Sequence, residues 1–213
     1  MFEVIRLIHF ADTADAGLRD AIVSGLRADV ERHTAAMLMR PTLPGGIGAG
    51  DMLVRLRFDT ESDWRAVENI VDSWFWTPAV DRVDGVTFTG SVAASRSAAT
   101  PTVYRALLVA VDPATDPEHV RQFETETAAM PQYIRSIGAS QLARVHDATG
   151  SARWTHVWEQ EYTGLDGLTG PYMTHPYHWA HVDRWFDAER GRKIVTSLCH
   201  SFTTIETPFL TAR

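Results

Sequence analysis

A short segment in the last third of the chain holds most of its candidate acid/base groups. Tyr172, His175 and His178 follow one another at intervals of three residues. A tyrosine can donate a hydrogen bond to an oxygen that is gaining charge, and a histidine, with a pKa of about 6.5, can accept a proton at neutral pH. Pro176 interrupts any helix here, so Tyr172 and His178 need not stand a fixed turn apart. The segment predicts Tyr172 and His178 as a catalytic pair that removes a proton from a carbon next to a carbonyl.

A strand upstream of this segment supplies a second candidate histidine. Trp154, His156 and Trp158 alternate with other residues, and a period of two places them on one face of a strand. If that face lines a cavity, His156 orients the substrate or relays its proton, and the two tryptophans offer stacking surface. The alternative is a core histidine that is hydrogen-bonded to a neighbour.

Three further residues are predicted to contact a substrate. Arg105, early in a predicted strand, has the forked guanidinium that grips a carboxylate or phenolate. The alternatives are a surface arginine or, by analogy with Arg6 at the corresponding point of the first half, a structural ion pair. His175 and Trp179 complete the predicted binding residues, although His175 also suits a turn before Pro176.

Metal and cofactor sites are not predicted. His175, His178 and His181 could suggest Zn²⁺, but steps of three residues spread the side chains around a helix. Haem ligation by one histidine remains a less favoured alternative. The glycine-rich stretch 45–50 precedes a predicted strand and not a helix, so it favours a flexible loop or pocket lid over a nucleotide site.

The composition excludes several classes of partner. The chain has 213 residues and a net charge of −7, which argues against binding to a nucleic-acid backbone. No apolar run approaches the roughly 18 residues that span a bilayer. Cys199 is the single cysteine, and nothing at the start resembles a signal peptide. We therefore expect a cytoplasmic protein with a small-molecule substrate and neither a nucleic-acid nor a membrane partner.

The elements that must position these residues occur twice. Val4-Ile5-Arg6-Leu7 recurs as Val103-Tyr104-Arg105-Ala106, and each half is predicted to run strand, helix, strand, strand, helix, strand. The predicted elements of the first half are 2–10, 16–35, 36–41, 52–58, 62 to about 84, and 86–92. Those of the second half are 102–111, 117–137, 139–145, 154–162, 165–193 with an interruption, and 194–206. This order is the split βαβ, ferredoxin-like unit.

A ferredoxin-like unit covers only one face of its sheet with helices. Two units in one chain can bury the bare faces against each other, giving an intramolecular α+β barrel whose lumen would hold the chemistry. The predicted domains are 1–95 and 102–213, joined by a linker at 96–101. Such a chain would be a monomeric pseudo-dimer or a homodimer.

The pattern Tyr172-x-x-His175-Pro176-x-His178, preceded by the strand Trp154 to Glu159, resembles the stress-responsive dimeric α+β barrel family. The resemblance implies the barrel fold, a pocket lined by the strand histidine, and acid/base roles for Tyr172 and His178. Family members are usually single units that dimerise, whereas this chain holds both. Its first half has Trp74 and Val80 where the tyrosine and second histidine would be, so the resemblance implies one active pocket and one degenerate half.

These observations favour a cofactor-independent acid/base enzyme. It would be a cyclase, an aldolase-type lyase or an isomerase that acts on an aromatic or polyketide-like compound, with Tyr172, His178 and His156 as catalytic residues. The alternatives are a non-catalytic barrel that binds a hydrophobic ligand or serves a stress response and, less favoured, a haem-binding oxidoreductase.

Overall fold

The computed structural model describes residues 1–94 and 100–211. The first half contains β1 (Phe2–Phe10), α1 (Ala16–Val30), β2 (Ala36–Pro41), β3 (Met52–Phe58), α2 (Glu61–Ser73), β4 (Val80–Phe88) and the short β5 (Ala93–Ala94). The second half contains β6 (Val103–Val111), α3 (Pro117–Ala128), β7 (Ile137–Thr149), β8 (His156–Tyr162), α4 (Leu165–Gly167), α5 (Asp183–Phe186) and β9 (Val195–Thr204). Most of the predicted linker, 96–99, lies outside the described residues, and the division into two domains stays a prediction.

One antiparallel sheet runs through both halves. Its order is β2-β3-β1-β4-β7-β8-β6-β9, so the first strand of each half lies between two later ones. The pairing of β4 with β7 joins the halves on one side. On the other side the loop after β2 meets β9: the Leu43 N–H donates to the Phe202 carbonyl at 2.8 Å, and Ile47 forms a bridge with His200. The sheet therefore curls into a barrel, which confirms the predicted ferredoxin-like α+β fold.

Local sequence explains where the long helices begin. The Asp15 carboxylate accepts from the Leu18 N–H at the start of α1, and Thr60 and Asp63 form a capping box at the start of α2. The Asp116 carboxylate caps α3 in the same way. Each cap satisfies backbone N–H groups that the first helical turn leaves without partners.

The predicted ends of the second helices are wrong. The α2 helix stops at Ser73, because its buried stripe of Trp64, Val67 and Val71 is complete there, and β4 begins at Val80. In the second half, the predicted helix 165–193 is four short pieces that end at Phe186. Propensity patterns locate such elements better than they locate their ends.

Each half has a core between its sheet and its helices, and a third core fills the barrel. Phe58, Trp64 and Val71 belong to the outer core of the first half, and Phe123, Trp158 and Trp185 to that of the second. Inner-face residues of both halves, such as Leu7 and Leu108, form the shared core. The bare faces therefore bury each other, as the two-unit arrangement requires.

Among the described residues, side chains and the C-terminal segment fill the barrel interior where the site was predicted. Arg55 donates to both carboxylate oxygens of Glu159, at 2.7 and 3.1 Å, and Tyr104 also donates to that carboxylate. The chain after β9 enters the same space, where the Leu210 N–H donates to Glu161 at 2.8 Å and Phe209 is buried. The expectation that the chemistry sits in the lumen is corrected: ionic groups and the C-terminal segment occupy it.

Candidate functional site

A cavity of about 310 Å³ lies on the outer face of the second half, between its sheet and the segment 165–186, which we call the broken helix. The strands contribute Arg105, Leu107, Trp158, Leu198 and His200. The broken helix contributes Tyr172, Met173, His178, Val182, Asp183 and Phe186, and the first half contributes Ile47. The walls are mainly apolar, and the polar groups of Arg105, Tyr172 and His200 meet at one place, which we call the polar end of the cavity.

The sequence of the broken helix accounts for its shape. Pro171 lies in a wide π-type turn (168–172), and Pro176 interrupts the helix before a second one (178–182). Proline cannot donate to the helical ladder, and π-type turns are frequent at functional sites. The break brings Tyr172 and His178 into edge contact, with ring centroids 4.6 Å apart.

Arg105 anchors the polar end of the cavity. Its Nη1 donates to the Tyr172 hydroxyl at 2.9 Å and to Gln160 Oε1 at 2.5 Å, and its Nε donates to His200 Nε2 at 2.9 Å. Its guanidinium lies 4.9 Å from the Trp158 ring and 5.0 Å from the Tyr172 ring. These contacts hold the side chain in one position, and only 6% of the residue is exposed.

The Tyr172 hydroxyl is held as a neutral donor beside a positive charge. Burial raises its pKa, and the neighbouring Arg105 acts in the opposite direction. Because Arg105 donates to the hydroxyl oxygen, the Tyr172 proton is free to point away towards a ligand. A phenol in this position can stabilise negative charge that develops on a ligand oxygen.

His178 is a neutral imidazole at physiological pH. Burial lowers its pKa to about 4, and the charges of Arg105 and Arg190 add to the effect. Its Nδ1 lies 3.3 Å from the Asp183 carboxylate but makes no hydrogen bond. A neutral imidazole can accept a proton from a ligand through whichever ring nitrogen carries no proton.

The site contains two groups that sequence reasoning missed. His200 accepts the hydrogen bond from Arg105 Nε, and burial lowers its pKa to about 3, so its proton resides on Nδ1. Ile47 comes from the glycine-rich loop of the first half and lines the cavity of the second. The alternation of β9 could have placed His200 beside Arg105 only if the pairing of β9 with β6 had been known.

His156 lies elsewhere. Its Nε2 is 3.0 Å from Glu124, its Nδ1 is 2.9 Å from the Thr155 hydroxyl, and its ring packs edge-on against Phe123. It faces the helices at the far end of β8, about 13 Å along the strand from Gln160. Every polar atom of its ring has a partner, as in the core-histidine alternative.

Three other predicted residues also lie outside the cavity lining. Trp154 packs in the shared barrel core, because it precedes β8 and does not follow that strand's alternation. His175 Nδ1 accepts from the Tyr177 N–H at 3.1 Å in the turn before the second π-type piece. Trp179 is half exposed and donates to the Met173 carbonyl at 2.7 Å. Of the eight predicted residues, the structure brings together Tyr172, His178, Arg105 and Trp158.

The described ranges contain neither a cluster of metal-ligating side chains nor a membrane-spanning helix. Within 1–94 and 100–211, no group of three or more histidine, cysteine or acidic side chains has the geometry of a metal site. In those same ranges no helix is long and apolar enough to cross a membrane.

Fold and cavity together define a tandem ferredoxin-like α+β barrel with a mainly apolar pocket on the outer face of its second half. Residues 103–197 match the model of the Stress responsive A/B Barrel Domain family. No curated protein shows significant similarity to the chain.

Several solved structures share the fold over nearly the whole chain. An anthrone oxidase-like protein is 11% identical, with a TM-score of 0.63 over 99% of this chain and 94% of its own. A candidate monooxygenase from Lactobacillus acidophilus NCFM is 11% identical, with a TM-score of 0.52 over 96% and 92%. A mutant chlorite dismutase from Candidatus Nitrospira defluvii is 13% identical, with a TM-score of 0.54 over 96% and 91%. At these identities the likeness concerns the fold alone.

Proposed function

We propose that the protein is a cofactor-independent acid/base enzyme that removes a proton from a carbon next to a carbonyl. Its reaction would be that of a cyclase, an aldolase-type lyase or an isomerase. The observation that carries the proposal is the convergence of the Tyr172 hydroxyl and the neutral His178 ring on one cavity. Each group alone has common structural roles. Together they supply a hydrogen-bond donor and a proton acceptor on two rings whose centroids are 4.6 Å apart.

The proposed step places the substrate carbonyl oxygen on the Tyr172 hydroxyl. His178 takes the proton from the adjacent carbon, and the electron pair of the broken C–H bond moves to the oxygen as an enolate. Tyr172 stabilises this charge, and Arg105 strengthens the phenol as a donor through its own bond to the phenol oxygen at 2.9 Å. In a cyclase the enolate carbon attacks a second carbonyl, and the alkoxide that forms takes the proton back from His178. In an isomerase His178 returns the proton to another carbon of the enolate.

The walls of the cavity support an aromatic or polyketide-like substrate. Leu107, Trp158 and Phe186 offer apolar surface, and the volume of about 310 Å³ suits a small ring compound. One structural neighbour is named for anthrones, which are aromatic ketones with acidic C–H bonds. That name suggests probe compounds for this chain, since a likeness of fold does not transfer an activity.

Exchange of acidic hydrogens for deuterium tests the proposal without the natural substrate. Anthrone and small aryl 1,3-diketones would be incubated in D₂O with the protein, and loss of the α-proton signal would be followed by NMR. His178→Gln should reduce the protein-dependent exchange by about 10²–10⁴-fold, because it removes the proton acceptor. Tyr172→Phe should reduce it as well, while His156→Gln, which alters a histidine outside the cavity, should leave it unchanged.

The pH dependence provides a second readout. His178 accepts a proton only when neutral, and its lowered pKa is about 4, so exchange should rise with pH through that value and level off above it. Exchange that is equal for the wild type and His178→Gln would contradict the proposal. A protein that binds these compounds yet never exchanges their protons would be the non-catalytic ligand-binding barrel.

A further inference from the structure

The charge of Arg105 has no anionic partner among the described residues. Its hydrogen-bond acceptors are Gln160, His200 and the hydroxyls of Tyr162 and Tyr172, all of them neutral. A buried charge is costly unless an opposite charge pairs with it. The contacts with the Trp158 and Tyr172 rings offset part of that cost, but a ring supplies no counter-charge.

The first half shows the same arginine with its charge paired inside the chain. Arg6, at the corresponding position of the repeat, is as deeply buried as Arg105, and its Nη2 lies 3.6 Å from the Asp72 carboxylate. It also lies over an aromatic ring, that of Trp64, at 5.2 Å. The pairing with a carboxylate is therefore the difference between the two positions.

Two donors at the polar end of the cavity remain unused by the described residues. Nη2 of Arg105 takes part in none of that residue's hydrogen bonds, which use Nε and Nη1. The His200 Nε2 atom accepts from Arg105, so the N–H of this neutral ring is on Nδ1, which has no partner there. Both residues line the cavity, next to each other on the neighbouring strands β6 and β9.

We propose that the ligand of this cavity is a small organic acid with one carboxylate, which pairs with Arg105 and accepts hydrogen bonds from Arg105 Nη2 and His200 Nδ1. The inference rests on the proposed function for its site and names the substrate class: an apolar, aromatic or polyketide-like keto acid. A single negative charge matches the guanidinium of Arg105, which lacks a counter-charge among the described residues. A dianion such as a phosphate ester would meet the Asp183 carboxylate, which also lines the cavity and is 3.4 Å from Arg190.

Titration calorimetry at pH 7 with a matched pair of probes tests this inference. 4-Butylbenzoate and 4-butylbenzamide share an apolar body and differ in the charge of the head group. The wild type should bind the acid at least about tenfold more tightly than the amide, because a charged hydrogen bond in a buried site is worth more than a neutral one. Arg105→Met should abolish the preference, Arg105→Lys should retain part of it, and His200→Leu should reduce it.

Arg121→Gln is the control. It removes an exposed positive charge of α3 that is paired with Glu118 and does not line the cavity, so the ratio of the two affinities should stay within about twofold. Thermal unfolding of each variant checks that it is folded. If Arg105→Met fails to fold, Arg105→Lys and His200→Leu decide the matter.

Equal binding of acid and amide by the wild type would overturn the inference, as would an acid that does not bind at millimolar concentration. A preference that survives in the folded Arg105 and His200 variants would also overturn it. His178→Gln separates the inference from the proposed function, because that variant should lose proton exchange and keep the preference for the acid. An acid preference without any exchange activity would leave the carboxylate site standing and refute the enzyme.

Discussion

The two halves of the chain bury an arginine at the same point of their first strand and treat its charge in opposite ways. Arg6 is paired with Asp72, whereas Arg105 faces a cavity and, within the described part of the chain, has neutral acceptors only. The helical segments that cover the two arginines differ accordingly. In the first half α2 is regular, and Trp74 just after it packs against Gly25 and donates to Asp29 at 2.9 Å.

This contrast underlies our proposal that the second half binds a ligand at the position where the first half has a structural ion pair. In the first half, the charge of Arg6 is balanced by Asp72 within the chain. In the second half, a broken helix leaves space above the arginine, and Tyr172 and His178 face that space. Residues that serve a ligand commonly lower stability, since their partners are missing in the free protein.

A third buried arginine should give the largest loss of stability among these buried arginines. Arg55 in the barrel interior is fully buried and pairs with both Glu159 and Glu3. Arg55→Met should lower the free energy of unfolding by about 3–5 kcal/mol, because it removes the guanidinium that pairs with the buried Glu159 and one of the two that pair with the buried Glu3. Urea unfolding followed by tryptophan fluorescence measures the change. A loss below about 1 kcal/mol would show that the interior charges are not a structural network.

Removal of the carboxylate from the first half should have an intermediate effect. Asp72→Ala leaves Arg6 buried without an anion, and the free energy of unfolding should fall by about 1–3 kcal/mol. The low end of that range is the better expectation, because the Asp72 side chain is 34% exposed and water can partly replace it. Glu61→Ala, on the exposed face of α2, serves as the control in the same urea titration. If both variants lost equal stability, the Arg6–Asp72 pair would not explain the difference between the halves.

Removal of the unpaired arginine should have the smallest effect. Arg105→Met should change the free energy of unfolding by less than about 1 kcal/mol, since it removes an uncompensated charge and leaves a side chain of similar length. Its acceptor Gln160 keeps the bond from the Tyr162 hydroxyl at 2.7 Å. The same urea titration compares it with Asp72→Ala. A loss as large as that of Arg55→Met would mean that Arg105 is a structural residue and would remove the contrast on which the carboxylate site depends.

Much of the fold could be predicted because its signals are local. The recurrence of Val4 to Leu7 at Val103 to Ala106 marked the two central strands, and Asp116 marked the start of α3. Helix ends were missed because α2 stops where its buried face is complete, which depends on the sheet below it. The broken helix was predicted only as an interruption, since proline indicates a break but not the wide turns around it.

The candidate site divides in the same way. The sequence by itself determined the residue types and their spacing: the Tyr172 to His178 segment, the alternation of β8 and the repeat that holds Arg105. Only the tertiary structure decided which face of each strand met the helices, that His156 lay far from His178, and that His200 and Ile47 joined the site. The physical reason is that these contacts link strands and loops that are far apart in the chain. Strand pairing and sheet curvature bring those segments together, and neither is a local property of the sequence.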